Sequence, residues 1–541
     1  MRVLKSGIRV STDHVISVIS LLLIILISII TNQPIFKSWF GLIDDHMVIE
    51  QLRPLDHISF FNLPQKLISD TEIGDFGNYP RFRPFYYLLK FFLISVLGDW
   101  VGGYYIFRTL VQAFCCFLLL RVLLPTFHTN DTRSKGPQLS TVGVGLLISI
   151  GLLSLDAWTD ITLRLGPSEL ELTFGVLLTA YALIHLLRLN PSNQMTLGHR
   201  NYILLCLGVF IAVGAKENGL VTVIPLTLIT VFHYKSVVKG SKLNLISLIL
   251  VGCQTLLVVS NTLIVIARGA DVYGTPRSLN IVLDSLIASV TNSDFAVIVI
   301  ATGLLVLLFQ TGSVLSFGRL SLALFFDLLF LSESVFYAGS PDALRYQILS
   351  QVCLLVVPSL ALFGFIEHFF TQTRISRTNK IFAHFLISFG LFSYLSPIDN
   401  LNFANQVAKS NLQLTSIWRS EFDELVIKLH DSNASNIVIH VFSPESDYER
   451  IYSTVQFVRQ TGFVSSFYLK IWSDGTDNNL LRALRTFSEK GSTKWEIQPL
   501  SSLILGKTSF CLMFGIKTED FDEITRNYSD QKCIDSFTIN S

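Results

Sequence analysis

The sequence predicts a polytopic α-helical membrane protein with about eleven transmembrane helices and a C-terminal extracytoplasmic α/β domain. Composition is the first reason: of 541 residues, 50% are hydrophobic and 15% are charged, whereas ordinary globular proteins have about 25% charged residues. The second is that apolar runs recur through residues 1–397, which we assign to the transmembrane domain. The third is a polar pattern of alternating strands and helices in residues 398–541.

The N-terminal segment sets the predicted orientation. Arg2, Lys5 and Arg9 precede the first apolar run, at residues 14–30. This run is longer than the core of a signal peptide and has no small-residue cleavage site, so we predict an uncleaved span. The positive charges before it predict a cytoplasmic N-terminus and an external first loop.

The first outer loop, residues 31–100, is polar over most of its length. It carries two adjacent carboxylates, Asp44 and Asp45, and an uncompensated charged pair so near a bilayer is uncommon without a function. Its last apolar segment, Phe85 to Leu97, is short for a span at about 13 residues. We predict that this segment is a helix lying in the membrane interface.

The placement of that segment decides the orientation of the rest of the chain. If it is interfacial, nearly every later loop rich in Lys and Arg falls on the cytoplasmic side, as membrane proteins prefer. If it spans the membrane, all of those loops are reversed. The further spans are then predicted at residues 101–124, 140–157, 170–187, 202–215, 218–232, 243–267, 294–310, 320–331, 344–369 and 381–396.

Under this topology the outer ends of several spans carry charged side chains, which we predict to line one polar cavity. The alternative is that each side chain lies alone in the lipid headgroup region. The residues are Asp44, Asp45, Arg81, Arg83, Arg164, Glu169, Lys216, Glu217, Arg268, Arg277, Glu333 and Arg345.

The C-terminal residues 398–541 alternate between strand and helix patterns, which is typical of a small α/β domain. No glycine-rich phosphate loop follows a strand, so we assign this domain no chemistry and interpret it as an accessory cap or docking module. Strands are predicted at residues 436–442, 466–472, 495–499 and 509–516, and helices at 447–461 and 478–490.

External acids and arginines suit a membrane-embedded transferase acting on a lipid-linked sugar phosphate. Breaking the sugar–phosphate bond requires a base for the acceptor hydroxyl, a role that Asp44 or Asp45 can fill. It also requires cations to hold the phosphate leaving group. Arg83, Lys216 and Arg345 are the candidates for that role.

The order of these residues resembles the GT-C superfamily of glycosyltransferases, near the protein O-mannosyltransferases and the lipid A aminoarabinose transferases. The resemblance covers roughly residues 1–396 and rests on short motifs that follow a first span. They are Asp44-Asp45, Arg83-Pro84-Phe85-Tyr86-Tyr87-Leu88, Leu97-Gly98, Arg108, Ala215-Lys216-Glu217-Asn218-Gly219-Leu220 and Leu344-Arg345-Tyr346.

The resemblance implies that Asp44 or Asp45 is the general base and that Arg83, Lys216 and Arg345 lie near the phosphate. It also implies that Glu169 lines the sugar or acceptor pocket. The partners would be a polyprenyl-phosphate-linked sugar donor, a lipid, glycan or protein acceptor, and membrane lipids, with no nucleic acid. The sequence departs from the family in its basic tract, Arg81-Phe82-Arg83-Pro84, and in a tail that is neither a β-trefoil nor a tetratricopeptide array.

Simpler roles compete with these assignments. An aspartate is a favoured helix cap, a juxtamembrane arginine often contacts lipid phosphates, and Lys216 and Glu217 can pair with each other. His46 and His57 are competent to bind a divalent metal with Asp44, but their spacing matches no defined motif, so no metal or cofactor is assigned.

Two other functions remain open. A transporter or flippase for a lipid-linked or anionic substrate would use Asp327, an acid inside an apolar run, for proton coupling. A non-catalytic scaffold would use its external tail to recruit a partner. In each case we expect a multi-pass protein of the plasma or inner membrane.

Overall fold

The structure is a computed structural model that describes most, but not all, of the chain. The described residues are 12–41, 45, 48–49, 52, 61–77, 82–126, 139–187, 198–234, 237, 241–267, 279–291, 293–310, 314–336, 344–372, 382, 386, 390, 396–432, 436–441, 448–461, 466–471, 498–499, 509–514 and 533–539.

Helices dominate the first 372 residues. The α-helices are α1 (Thr12–Asn32), α2 (Leu63–Ser69), α3 (Pro84–Leu97), α4 (Val101–Thr126), α5 (Leu139–Leu153), α6 (Ala157–Thr162), α7 (Glu169–Leu187), α8 (His199–Ala215), α9 (Val223–Phe232), α10 (Lys242–Ala267), α11 (Leu279–Thr291), α12 (Ser293–Phe309), α13 (Val314–Phe336) and α14 (Ile348–Gln372). Short 3₁₀ helices lie at Gln33–Lys37, Glu217–Thr222 and Leu344–Gln347.

Five of the described helical segments are long and apolar enough to cross a membrane, and a sixth is formed if α11 and α12, bent by 69°, make one span. The five are Val15–Lys37, Val101–Leu124, Glu169–Leu187, Lys242–Val265 and Arg345–Ile366. Their length matches the hydrocarbon thickness of a bilayer. The prediction of a helical membrane protein is therefore confirmed at this level. The last predicted span, residues 381–396, lies almost entirely outside the described residues.

Close helix packing joins α7 to α8 and α8 to the turn that follows it. A Cβ atom on Gly175 would lie 2.6 Å from the backbone nitrogen of Ala212, so glycine allows the backbones of α7 and α8 to touch. At the turn after α8, a Cβ on Gly219 would lie 2.2 Å from the carbonyl oxygen of Ala212. At the opposite end of this hairpin, the hydroxyls of Tyr202 and Thr230 are 2.8 Å apart, so α8 and α9 run antiparallel.

Helix α3 covers the residues predicted to form an interfacial helix. Pro84 occupies its first turn, where a missing N–H is tolerated, and Gly98, with a φ of 54°, follows its last residue. One side of α3 is buried and includes Tyr86, Tyr87 and Lys90. Leu88, Phe92 and Val96 on the other side are exposed. The helix therefore buries one face in the protein and exposes an apolar face, and its 14 residues are fewer than any of the five candidate spans contains.

The C-terminal part begins with a helix that the sequence did not predict, α15 (Pro397–Ser432). It packs on α1 and on the 3₁₀ helix Gln33–Lys37. Asn405 donates a hydrogen bond to the carbonyl oxygen of Thr31 at 2.9 Å. The start of the C-terminal part thus lies beside the end of α1 that leads into the loop with Asp45.

A parallel five-stranded sheet follows α15. Its strands are β1 (Asn436–Val441), β2 (Ser466–Ile471), β3 (Gln498–Pro499), β4 (Ser509–Phe514) and β5 (Cys533–Ile539), in the order β3-β2-β1-β4-β5, and α16 (Tyr448–Gln460) joins β1 to β2. The run of β-branched residues in β1 is typical of a buried parallel strand. Strands β1, β2 and β4 and helix α16 confirm their predictions, and β3 covers only residues 498–499 of the predicted strand 495–499. Strand β5 was not predicted, and the predicted helix 478–490 lies outside the described residues.

Candidate functional site

The candidate site is built where helix ends meet. Direct contacts join the loop after α1, the first turns of α4 and α7, and the turn after α8, because Asp45 bonds to Leu165 and Tyr105 and Lys216 pairs with Glu169. The end of α13 and the 3₁₀ turn before α14 join them, since Glu333 bonds to the backbone of Leu349. Charged side chains from six segments are therefore neighbours although they are far apart in the sequence.

Asp45 is fully buried, and both of its carboxylate oxygens accept backbone hydrogen bonds. Oδ2 accepts from the N–H of Gly41 at 2.6 Å, and Oδ1 accepts from the N–H of Leu165 at 2.7 Å. The hydroxyl of Tyr105 is 3.5 Å from Oδ2. These contacts stabilise an ionised carboxylate. They also bind the first loop to the connection between α6 and α7.

Side chains from α3 and α4 donate hydrogen bonds to the backbone of the segment that connects α6 to α7. The hydroxyl of Tyr86 donates to the carbonyl oxygen of Gly166 at 2.5 Å. Nη2 of Arg108 donates to the carbonyl oxygens of Ile161 at 2.7 Å and Pro167 at 3.1 Å. Buried backbone carbonyls need such partners. Together with Asp45, these residues position the segment that leads directly to Glu169.

Glu169 and Lys216 form a buried ion pair between the start of α7 and the end of α8, and each side chain is 4% exposed. Nζ of Lys216 lies 4.6 Å from the ring centre of Tyr346, and the guanidinium of Arg345 lies 5.2 Å from the same ring. Arg345 also interacts electrostatically with Glu169. Three of the predicted substrate-binding residues, Glu169, Lys216 and Arg345, therefore form one cluster.

Glu333, which the sequence placed on the outer side, joins this cluster. Its carboxylate accepts hydrogen bonds from the N–H groups of Leu349 and Ser350, both at 3.0 Å, and from the Ser350 hydroxyl. It therefore caps the first turn of α14, where a negative charge is favourable. Its charge also reaches Lys216 electrostatically.

Arg83 has a carboxylate partner that the sequence did not assign. Its guanidinium donates to both oxygens of Glu72, at 2.8 and 3.2 Å, and to the hydroxyl of Tyr87 at 3.2 Å. Both charged side chains are buried. A bidentate pair of this kind is strong and geometrically specific. It binds the first loop to the start of α3.

Arg83 also contacts the ring of Tyr86, which links it to Lys90. Lys90, Arg108 and Glu171 form the second cluster of charged side chains. Arg83 and Lys90 each lie 4.8 Å from the ring centre of Tyr86, and Nζ of Lys90 donates to the Tyr86 hydroxyl at 2.7 Å. Burial lowers the pKa of Lys90 to about 7, the charge of Arg83 acts in the same direction, and the charge of Asp45 opposes it. Lys90 can therefore be neutral or charged near neutral pH.

The second cluster surrounds a cavity of about 20 Å³ between α3, α4 and α7. Nη1 of Arg108 lies 3.9 Å from Oε1 of Glu171, a loose ion pair. Among the described residues, Nε of Arg108 and Oε2 of Glu171 are buried without a hydrogen-bond partner. Sequence reasoning named Arg108 only within a motif and gave Lys90 and Glu171 no role. The sequence feature that could have identified them is that all three are charged residues within or beside apolar helices.

Arg164 and Asp327 have partners outside the two clusters. Arg164 pairs with Asp160 at 3.2 Å in a partly exposed position. The hydroxyl of Thr302 donates to Oδ2 of Asp327 at 2.8 Å, within the packing of α12 and α13. Asp44, His46, His57, Arg81, Arg268 and Arg277 lie outside the described residues, so the metal hypothesis and the choice between the two aspartates stay predictions.

The described part of the chain contains no group of three His, Cys, Asp or Glu side chains able to hold a metal ion. A scan against models of protein families finds no match for the sequence, and no curated protein matches it. The functional interpretation therefore rests on the residues and on the geometry of the two clusters.

Proposed function

We propose that this chain is an integral-membrane glycosyltransferase of the GT-C type, which transfers a sugar from a polyprenyl-phosphate donor to an extracytoplasmic acceptor. The observation that carries the proposal is the cluster of the buried pair Glu169 and Lys216 with the half-buried Arg345. Its residues come from the start of α7, the end of α8 and the turn before α14. Asp45 lies at the same end of the helix bundle. Charges inside an apolar bundle are costly, and this cost favours a functional role over a structural one.

In the proposed reaction, the acceptor hydroxyl oxygen attacks the anomeric carbon of the donor sugar. A carboxylate in the first loop removes the hydroxyl proton as the new C–O bond forms. The bond from the anomeric carbon to the phosphate oxygen breaks, and polyprenyl phosphate leaves with the bonding electron pair. Lys216 and Arg345 stabilise the negative charge that develops on this leaving group.

We assign the base to Asp44 and a positioning role to Asp45. Both oxygens of Asp45 already accept backbone hydrogen bonds at 2.6 and 2.7 Å, which leaves this carboxylate poorly suited to take a proton. The assignment of Asp44 rests on its adjacent position in the motif. Arg83, bound to Glu72, is proposed to hold the loop while Lys216 and Arg345 contact the phosphate.

We propose a topology of about eleven spans with a cytoplasmic N-terminus and an extracytoplasmic α/β domain of residues 398–541, in the plasma or inner membrane. The contact of Asn405 with Thr31 supports an external C-terminal part. Thr31 lies in the last turn of α1, so the start of α15 lies beside the end of this helix that leads into the first loop. The short helix α3 supports an interfacial rather than a spanning segment.

Mass spectrometry of lipids, glycans and envelope proteins tests the proposed activity. Cells with the wild-type protein should contain a glycan product that cells with Asp44→Asn lack, although the variant protein inserts at a normal level. Asp423→Asn, which changes an exposed carboxylate on α15, is the matched control and should retain the product. An unchanged product in Asp44→Asn contradicts Asp44 as the base. An unchanged product in Asp45→Asn and in the double variant as well contradicts any base in this pair.

A transporter or flippase is the second candidate, favoured by one observation. Oδ1 of Asp327 is buried and has no hydrogen-bond partner among the described residues, as a proton-carrying site within a bundle requires. This function predicts that Asp327→Asn stops movement of the substrate across proteoliposome membranes, while Asp44→Asn has little effect. The transferase function predicts that Asp44→Asn impairs activity more than Asp327→Asn does.

A further inference from the structure

The cavity between α3, α4 and α7 combines unpaired polar atoms with aromatic walls. Nε of Arg108 is a buried donor and Oε2 of Glu171 is a buried acceptor, and neither has a partner in the described structure. Both residues line the cavity. An unsatisfied buried polar atom is costly, so such atoms need a ligand or a water molecule. The lining also includes Tyr86, Lys90, Tyr104 and Phe107.

We propose that this cavity receives a neutral hydroxyl or hydroxymethyl group of the sugar. The inference rests on the proposed transferase function and specifies its substrate as a sugar that is uncharged at this position. A hydroxyl donates one hydrogen bond and accepts others. It therefore satisfies the carboxylate of Glu171 and the N–H of Arg108 at the same time. Aromatic rings beside it suit the apolar C–H face of a sugar.

Charged groups fit the same atoms less well. A carboxylate or phosphate would accept from Arg108 but would face the negative charge of Glu171. An ammonium group would donate to Glu171 but would leave the N–H of Arg108 unpaired beside a second cation. Lys90 also lines the cavity and can be neutral or charged near neutral pH. Only a neutral group that both donates and accepts pairs both atoms without repulsion.

The size of the cavity restricts the group further. About 20 Å³ exceeds the 10–15 Å³ or so that one water molecule needs in this measure, and is too small for a pyranose ring. The cavity therefore fits one substituent while the ring remains outside it. Val48 of the first loop lines the cavity, which places this loop beside the bound substituent.

Saturation-transfer NMR on the full-length protein in detergent tests the proposal. The probes are the neutral methyl glycosides of glucose, mannose and galactose, the corresponding 6-amino-6-deoxy glycosides and uronic acid glycosides, and inorganic phosphate as a competitor. At least one neutral glycoside should bind, and its charged counterparts should bind at least about tenfold more weakly. Phosphate should not displace it.

Two variants of neighbouring residues locate the binding. Leu89→Phe fills the cavity, since Leu89 lines it, and should abolish glycoside binding. Leu88→Phe adds the same volume to an exposed position on the same helix and should leave binding unchanged. Glu171→Gln keeps the size of the side chain and should weaken binding at least about tenfold, which provides a test if Leu89→Phe does not fold.

Each other outcome overturns the subsite. Binding of no glycoside means that the cavity holds water only. Stronger binding of a charged analogue, or binding that survives Leu89→Phe and Glu171→Gln, also contradicts it. These results are separate from the transferase test. Glycan transfer without neutral-glycoside binding leaves the proposed function intact, and glycoside binding without transfer refutes only the proposed function.

Discussion

The carboxylate of Asp45 accepts a hydrogen bond at 2.7 Å from the backbone N–H of Leu165, 120 residues later in the chain. This contact joins the first loop to the connection that leads to Glu169. Tyr86 and Arg108 hold the same connection from α3 and α4. The site is thus assembled by side chains that bind one irregular backbone segment, which would otherwise leave polar groups unpaired inside the bundle.

Asp45→Ala should destabilise the protein by about 1–3 kcal/mol, because the buried N–H groups of Gly41 and Leu165 lose their acceptor. Asp45→Asn keeps one acceptor oxygen and should cost less. Thermal unfolding of the two variants in detergent measures the difference. Equal stability of Asp45→Ala and the wild-type protein would contradict the anchoring role.

Lys216→Met should destabilise the protein by about 3–5 kcal/mol, since it leaves the buried carboxylate of Glu169 unpaired. The double variant Glu169→Gln with Lys216→Met removes both charges and should recover most of the stability. If Lys216 contacts the phosphate, the double variant still lacks transfer activity. Recovery of activity along with stability would limit Lys216 to a structural role.

The partly exposed pair of Arg164 and Asp160 is the matched control for this experiment. Arg164→Met should cost only about 0–1 kcal/mol, because solvent screens the pair. A loss comparable to that of Lys216→Met would indicate that burial does not explain the difference between the two ion pairs.

Arg83→Lys should lower stability by about 1–2 kcal/mol although the positive charge is retained, because lysine cannot make the two parallel hydrogen bonds to Glu72. Equilibrium unfolding by chemical denaturant measures the loss. A much smaller effect of Lys428→Arg is expected, since the pair of Lys428 and Glu424 is exposed on the surface of α15. Reversal of this order would count against the buried bidentate pair.

Lys90 should make stability depend on pH above neutrality. Its pKa in the folded protein is about 7, below the ordinary value of about 10.4, so between these values the unfolded chain binds more protons. Stability should therefore rise with pH from about 7 to about 10, by up to about 1.4 kcal/mol per pH unit for this one group.

The difference in unfolding temperature between the wild-type protein and Lys90→Met isolates this contribution. Lys90→Met should unfold at a higher temperature than the wild-type protein, and this difference should be largest below about pH 7, where the folded wild-type protein must keep a buried ammonium group. The difference should narrow as the pH rises. A gap that stays constant from pH 6 to pH 9 would show that Lys90 does not titrate in this range.

Trp418→Ala should destabilise the protein by about 3–5 kcal/mol and loosen the first loop. Trp418 is 2% exposed, and its ring contacts Trp39 and Phe457 at centre-to-centre distances of 6.4 and 5.8 Å. Trp100→Ala removes the same volume from a position that is 59% exposed and should have little effect. Limited proteolysis and thermal unfolding measure both variants, and similar losses would contradict the packing role of α15.

The sequence predicted most of the helices because a membrane helix needs a long apolar run, which can be read from local composition. The same signal failed for α15. That helix is polar over much of its length, and its buried face includes Ala408, Trp418, Phe422 and Leu425. Residues of the first loop and of α16, such as Trp39 and Phe457, cover this face, and no local pattern in α15 identifies those partners.

By itself, the sequence determined that the chain is a helical membrane protein and that charged residues recur at the ends of its apolar runs. Span counting predicted that twelve charged residues lie at the outer ends of the spans, and three of them, Glu169, Lys216 and Arg345, form a cluster. Only the tertiary structure decided which charges pair. Arg83 binds Glu72, Asp45 binds the backbone of Leu165, and Arg108 meets Glu171 beside a cavity. Hydropathy is a local property, whereas these contacts depend on helix rotation and packing between distant segments.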